Sequence, residues 1–206
     1  MKYIAYKLNF QTGVHFGKGM LNETADGFFA DTLYSALCIE ALRNDSLERF
    51  YQMTIDGKLL FSDGFPFIKD RLYIPKPMIK MENDDDVSNR KKWKKLKYVP
   101  IDRLDAYLKG TLDVENESAL LNGLGKRVVH QKVSRPNTEK SEPYSVGIYY
   151  FEEGNGLYFL MGYEEEDPDM VEETRNELDS FISVLEEIRI GTLLSGEFDN
   201  NNAILK

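Results

Sequence analysis

The chain has 206 residues, 42% of them hydrophobic and 12% aromatic, with one cysteine and a formal net charge of −9. That length supports one sizeable core or two small ones. Cys38 excludes an internal disulfide, and with only His15 and His130 beside it there is no zinc ligand set. No stretch approaches the roughly 18 uninterrupted apolar residues of a membrane span, and MKYIAYKLNF alternates where a signal peptide would be solidly apolar. The expectation is a cytoplasmic globular protein with no membrane, metal or cofactor. Net acidity argues against a phosphate-bearing partner. It is unevenly spread, however: Glu164 to Lys206 holds 13 Asp or Glu against 3 Lys or Arg, so Met1 to Tyr163 is close to neutral.

Lys2 to Phe10 predicts a strand, with Ile4, Tyr6, Leu8 and Phe10 on one face at period two. TGVHFGKG follows, and glycines at 13, 17 and 19 let its backbone take positive φ or approach another backbone or a ligand. It is not a Walker loop, because Gly17-Lys18 precedes Gly19 where Ser or Thr is required, and GxGxxG is absent. His15 could serve as a general acid or base in metal-independent RNA cleavage, but no partner for it is evident, which favours an RNA or backbone contact. His15 and Phe16 offer flat groups for stacking, worth about 1 to 3 kcal/mol per base. A helix begins near Asp31, with Phe29, Leu33, Ala36, Leu37 and Ala41 along one side. Asp31 reads as its cap in preference to a metal-bound carboxylate.

A short helix near Leu47 to Met53 and strands at Leu59 to Phe61 and Arg71 to Ile74 lead to Pro75-Lys76-Pro77. Its two prolines fix an extended exit and stop the strand from continuing as a paired central one. Residues from about 78 to 143 read as a polar, mobile insertion. It holds the acidic run Glu82 to Asp86, the basic run RKKWKKLK from Arg90 to Lys97, a helix near Ile101 to Lys109, and a basic strand from Lys126 to Pro136. Clustered lysines neutralise phosphates and release counterions. Trp93 either stacks on a base or, sharing a helical face with Leu96, pins the segment to the body. Tyr144 to Phe151 and Gly156 to Gly162, separated by EEGN, predict an antiparallel hairpin. Val171, Thr174, Leu178, Phe181, Ile182, Leu185 and Ile188 then recur at helical spacing, opposite an acidic face. The order fits an α+β, ferredoxin-like (RRM-like) domain, with no internal repeat and no linker demanding two independent domains.

Six strings occur in register: VHFGKG, ADTLYSALCIEAL, DGFPF, LYIPKPMIK, KKLKYVPIDRLDAYLKG and EPYSVGIYYFEEGNGLYFL. Together, over about Met1 to Leu185, they resemble subunit four of the Csm complex, the type III-A CRISPR effector, in the RAMP superfamily. The resemblance implies a scaffold that binds the repeat-derived 5′ tag of the guide RNA and contacts the large polymerase-cyclase subunit and the first backbone subunit. Catalysis would belong to those neighbours. By position it lays His15, Phe16, Gly17 and Lys18 and the segment around Lys76 along the tag, and makes the insertion a thumb reaching between guide and target RNA. Asp31 lies in the matching helix, but the target-cleaving aspartate belongs to the sibling backbone subunit, so that role is not transferred. The family continues past its long helix into a glycine-rich, Lys-Arg-containing loop and a second ferredoxin-like half. Here the sequence reads IRIGTLLSGEF and ends at Lys206, so that half is expected to be missing.

The expectation is thus a single RAMP-type domain over 1–206 with a basic thumb at about 78–143, acting in antiviral defence. RNA would be bound by His15, Phe16, Gly17, Lys18, Lys76, Lys91, Lys92, Lys94, Lys95, Lys126, Arg127, Lys132 and Arg135, with no catalytic residue, metal or cofactor. The alternatives are a metal-independent guide-processing endoribonuclease using His15, and a protein-binding adaptor whose acidic C-terminal helix docks a basic partner.

Overall fold

In β1 (Lys2–Asn9), Ile4, Tyr6 and Leu8 all enter the core, and Phe10 follows just past its end, as period-two alternation requires. The computed structural model to which this strand belongs describes residues 1–79, 92–134 and 142–164. The predicted helix over 171–188, the acidic run Glu82 to Asp86, and both Lys91 and Arg135 lie outside the described residues. β1 pairs antiparallel with β10 (Asn155–Tyr163), from Lys2 opposite Tyr163 to Asn9 opposite Gly156. The far edge of β10 is taken by β5 (Phe65–Ile68) and, further along, by β4 (Leu59–Phe61). β6 (Arg71–Pro75) and β7 (Tyr98–Pro100) extend the sheet, giving the order β1-β10-β5-β6-β7 with β4 beside β10.

Helices α1 (Ala30–Arg43) and α2 (Leu47–Ile55) supply the apolar cover for one sheet face. Leu33, Leu37, Ala41 and Phe50 join Ile4, Tyr6, Leu8, Leu157, Phe159 and Met161 in one buried cluster, with the Tyr6 and Phe159 rings stacked at 5.2 Å. The cap of α1 differs from expectation. Phe29 occupies the cap position without a side-chain bond, and Asp63 supplies one from a distant loop, its Oδ1 accepting from the Ala30 amide at 2.7 Å. Asp31 already lies inside the first turn, where its carboxylate accepts from the neighbouring Thr32 amide at 2.6 Å.

The expected hairpin around EEGN is also corrected. β9 (Glu142–Phe151) does not pair with β10 but with β8 (Gly125–Ser134), in a separate two-stranded ribbon. β10 has both edges occupied within the main sheet, so the Glu152 to Asn155 turn, with Gly154 at φ +78°, passes the chain from ribbon to sheet. A further short hairpin, β2 (Gly17–Lys18) with β3 (Met20–Thr24), packs on β9.

The described part of the insertion carries its own apolar core, unlike the polar segment expected. A helical turn at 92–95, a 3-10 turn (Ile101–Arg103), α3 (Leu104–Leu108) and α4 (Val114–Asn122) surround Leu96, Val99, Tyr107, Leu112 and Val114. Trp93 lies 5.6 Å from the Tyr107 ring, which is the pinning role, and Asp113 caps α4. This unit is tied to the sheet through Arg71, which donates to Asp102 at 3.2 Å and to the buried Glu117 at 3.2 and 3.3 Å. The Tyr73 hydroxyl donates to the same Glu117 carboxylate at 3.3 Å. Among the described residues no helix is long and apolar enough to cross a membrane, and no three His, Cys, Asp or Glu cluster for a metal.

Candidate nucleic-acid interface

The glycine loop is drawn onto β9. Gly13 sits where a Cβ would collide with Ile148 and Tyr150, and that closeness lets Val14 bridge Tyr149 through paired backbone bonds of 2.8 and 2.7 Å. His15 is thereby buried, with Nδ1 donating to the Gly147 carbonyl at 2.6 Å. Phe16 is only 3% exposed and packs 5.9 Å from both the Phe10 and Phe28 rings, while its amide donates to Thr24 Oγ1 at 3.0 Å. The stacking surface expected of Phe16 is therefore absent here: its ring fills the core. Gly17 and Lys18 are exposed on β2, and Gly19 takes φ +100° at the turn.

Of the other expected cations, some are tied within the fold and others are exposed. Lys76 is half-buried and donates from Nζ to the Trp93 carbonyl at 2.7 Å, while its amide donates to the Lys97 carbonyl at 2.9 Å; it stitches the end of β6 to the insertion. Lys92 forms an ion pair with Glu115. Lys94 and Lys95 are exposed on the helical turn.

On β8, Lys126, Arg127 and Lys132 are all exposed. The register puts Lys126 opposite Tyr150 and Lys132 opposite Tyr144, so both lysines share one ribbon face with His130. The His130 Nε2 and the Tyr150 hydroxyl are hydrogen-bonded at 3.0 Å, and Tyr144 is 39% exposed. Arg127 falls on the opposite face, alongside Val129 and opposite Tyr149. There it borders a groove of about 260 Å³ between β8 and the β2–β3 hairpin, which Lys18, Asn22, Glu23, Thr24 and Gly147 also line. Gly147 permits the approach, since a Cβ there would lie 2.5 Å from the Asn22 carbonyl oxygen. Lys18 and Arg127, far apart in sequence, are thus brought to one groove.

Two residues outside the expected set belong here. Lys97, the last lysine of the basic run, leaves the helical turn and lies 4.0 Å from Asp26 Oδ2, and Arg127 lies 3.4 Å from the same oxygen. Burial first, and then the nearby Asp26 carboxylate, push the Tyr149 phenol up to about 12. Tyr98 is raised by burial and then by Asp26 and Asp63. Both phenols therefore stay neutral near the groove. Tyr144 and His130 could have been found by extending period two along KRVVHQKVS and EPYSVGIYY; nothing in the sequence pairs Asp26 with Arg127.

No protein-family model matches the chain. Among curated proteins it is 33% identical over 147 residues to the Mycobacterium tuberculosis protein named "CRISPR system Cms protein Csm4", a match covering 71% of this chain and 49% of that protein. To the Streptococcus thermophilus protein of the same name it is 31% identical over 140 residues, covering 64% and 46%. The chain spans about half the length of the curated relatives it matches. Its fold is similar to a chain in the crystal structure of a Csm3-Csm4 subcomplex of the type III-A CRISPR-Cas interference complex, with TM-score 0.61, 19% identity, and coverage of 97% of this chain and 68% of that one. It is also similar to a chain of a Csm1-Csm4 cassette in complex with cA4, with TM-score 0.54, 21% identity, and coverage of 88% and 63%.

Proposed function

The chain belongs to the Csm4 family, and from that premise we propose that it is a non-catalytic RNA-binding subunit of a type III-A CRISPR interference complex, acting in the cytoplasm in antiviral defence. In this reading the sheet β1-β10-β5 with α1 on one face is a RAMP-type ferredoxin-like core. The chain holds the 5′ tag of the guide RNA, reaches target RNA through its insertion, and joins the large polymerase-cyclase subunit to the backbone. The relatives' own assemblies with Csm1 and Csm3 support that choice of partners.

The observation that carries the RNA reading is the meeting of Lys18 and Arg127 across one groove, while Lys126 and Lys132 stand exposed on the other face of the same strand. A chain with a net charge of −9 has here gathered cations from two separate segments. Such an arrangement tracks a phosphate backbone by charge neutralisation. Reversing Lys18, Lys126, Arg127 and Lys132 to Glu weakens binding to guide RNA and lowers its salt dependence, by about 0.7 in log–log slope for each single-strand phosphate that is no longer neutralised. An unchanged slope overturns the assignment. Cleavage by His15 is a separate outcome: repeat RNA cut in chelator by the purified chain, and left intact by His15→Ala, replaces the scaffold with an endoribonuclease.

A further inference from the structure

Asp26 is an acid set among bases. It follows the β2–β3 hairpin and precedes α1, and a single oxygen, Oδ2, is approached by Arg127 Nη2 at 3.4 Å and Lys97 Nζ at 4.0 Å. The two cations come from different segments, β8 and the stretch entering β7. Both remain open to solvent, at 51% and 71% side-chain exposure, and Asp26 itself at 36%. Exposed ion pairs at such distances hold weakly and yield to a better-placed anion. A phosphodiester is a monoanion like the carboxylate, but it can turn one non-bridging oxygen to each cation where Asp26 presents a single oxygen to both, and Arg in particular favours that bidentate geometry.

We infer that Lys97 and Arg127 form a two-cation site for one phosphodiester of single-stranded RNA, which Asp26 occupies internally in the free protein and releases when RNA binds. Arg127 also lines the groove that contains Lys18. The site therefore continues that groove toward β7, and a strand lying in the groove delivers its next phosphate to Lys97 and Arg127. Asp26 acts as a built-in competitor: it keeps the two side chains convergent and raises by a few-fold the RNA concentration needed to fill the site. The inference rests on the RNA-binding reading above, and adds to it a position, a pair of ligating side chains, and a residue whose loss improves binding.

The test is RNA affinity of the full chain, read by anisotropy of a labelled oligouridine of about 12 nucleotides, a length within the usual single-strand site sizes. Asp26→Asn is expected to tighten binding about two- to fivefold at low salt, the range of one exposed ion pair relieved. It should also steepen the salt dependence. Adding Lys97→Gln and Arg127→Gln to Asp26→Asn abolishes the gain. Asp70→Asn, a change of equal charge at an exposed turn, is the control and leaves affinity near that of the unaltered chain. If Asp26→Asn leaves affinity unchanged, or if Asp70→Asn tightens it equally, the site is refuted while RNA binding stands. If the unaltered chain binds no RNA at all, both fall together.

Discussion

Loop 13–19 and strand β8 both present a histidine and basic residues in a segment suited to RNA, and the fold treats them in opposite ways. In the loop, backbone pairing between Val14 and Tyr149 carries His15 and Phe16 inward and leaves Gly17, Lys18 and Gly19 outside. On β8 the ribbon stands with one edge free among the described residues, and Lys126, Arg127 and Lys132 remain exposed. Residue type alone does not decide availability. What decides it is whether a neighbouring strand needs the side chain to complete its core. The loop is then a structural clasp with one outward lysine, and β8 is the surface on which the proposed RNA binding relies.

Phe16→Ala gives the largest expected effect. It should lower stability by about 3 to 5 kcal/mol in chemical denaturation, as for a buried aromatic truncated in a packed cluster, while the folded fraction keeps its RNA affinity. Near-neutral stability with abolished RNA binding would reverse the roles of loop and strand. His15→Ala leaves the Gly147 carbonyl without its donor and should cost about 1 to 3 kcal/mol, again without a specific RNA effect.

An alkaline titration tests the buried phenols of the ribbon and the main sheet. Tyr73, Tyr149 and Tyr158 are each pushed up to about 12, chiefly by burial. Unfolded, each ionises near 10. Between these values the unfolded chain has released protons that the fold retains, so rising pH favours unfolding there and has no effect through these groups below about 10. Thermal melts should stay level up to about pH 10 and then fall toward pH 12, with Tyr149→Phe reducing the drop. A melt that falls well below pH 10 and is unaltered in Tyr149→Phe would remove these phenols as its cause. On the β8 side, Lys126→Glu with Lys132→Glu should leave stability within about 0.5 kcal/mol and reduce the RNA salt slope by about 0.7 for each phosphate set free. Lys92→Gln, which opens the exposed pair with Glu115, should cost under about 1 kcal/mol.

The elements legible in the sequence were those whose burial follows a local period. β1 declares itself through Ile4, Tyr6, Leu8 and Phe10, and α1 through Leu33, Ala36, Leu37 and Ala41, because each has one face on the core. β5 escaped detection: it is four residues long and contains Pro66. Its pairing with β6 begins only at Phe67, so the missing Pro66 amide interrupts no bond to that strand. The partner of β9 was misread because turn chemistry reports a change of direction and not which edge is vacant. Of the interface, the lysines of β8 and Lys18 were readable as exposed cations. The inward turn of Phe16, the bond from Lys76 to the Trp93 carbonyl and the meeting of Asp26 with Arg127 depend on the approach of distant segments, which carries no local signal.

The pairing of β1 with β10 also sets a timetable. Every rung of that ladder joins the first ten residues to those between Asn155 and Tyr163, and pairings so distant in sequence form late and slowly. During synthesis at about 5 to 20 residues per second, β1 waits roughly 8 to 30 seconds after its own translation before its partner has been made. Through that interval Ile4, Tyr6 and Leu8 lack the β10 side chains against which they will pack. β1 is thus secured long after it is made, and in that interval it is open to chaperone capture or to pairing with another nascent chain.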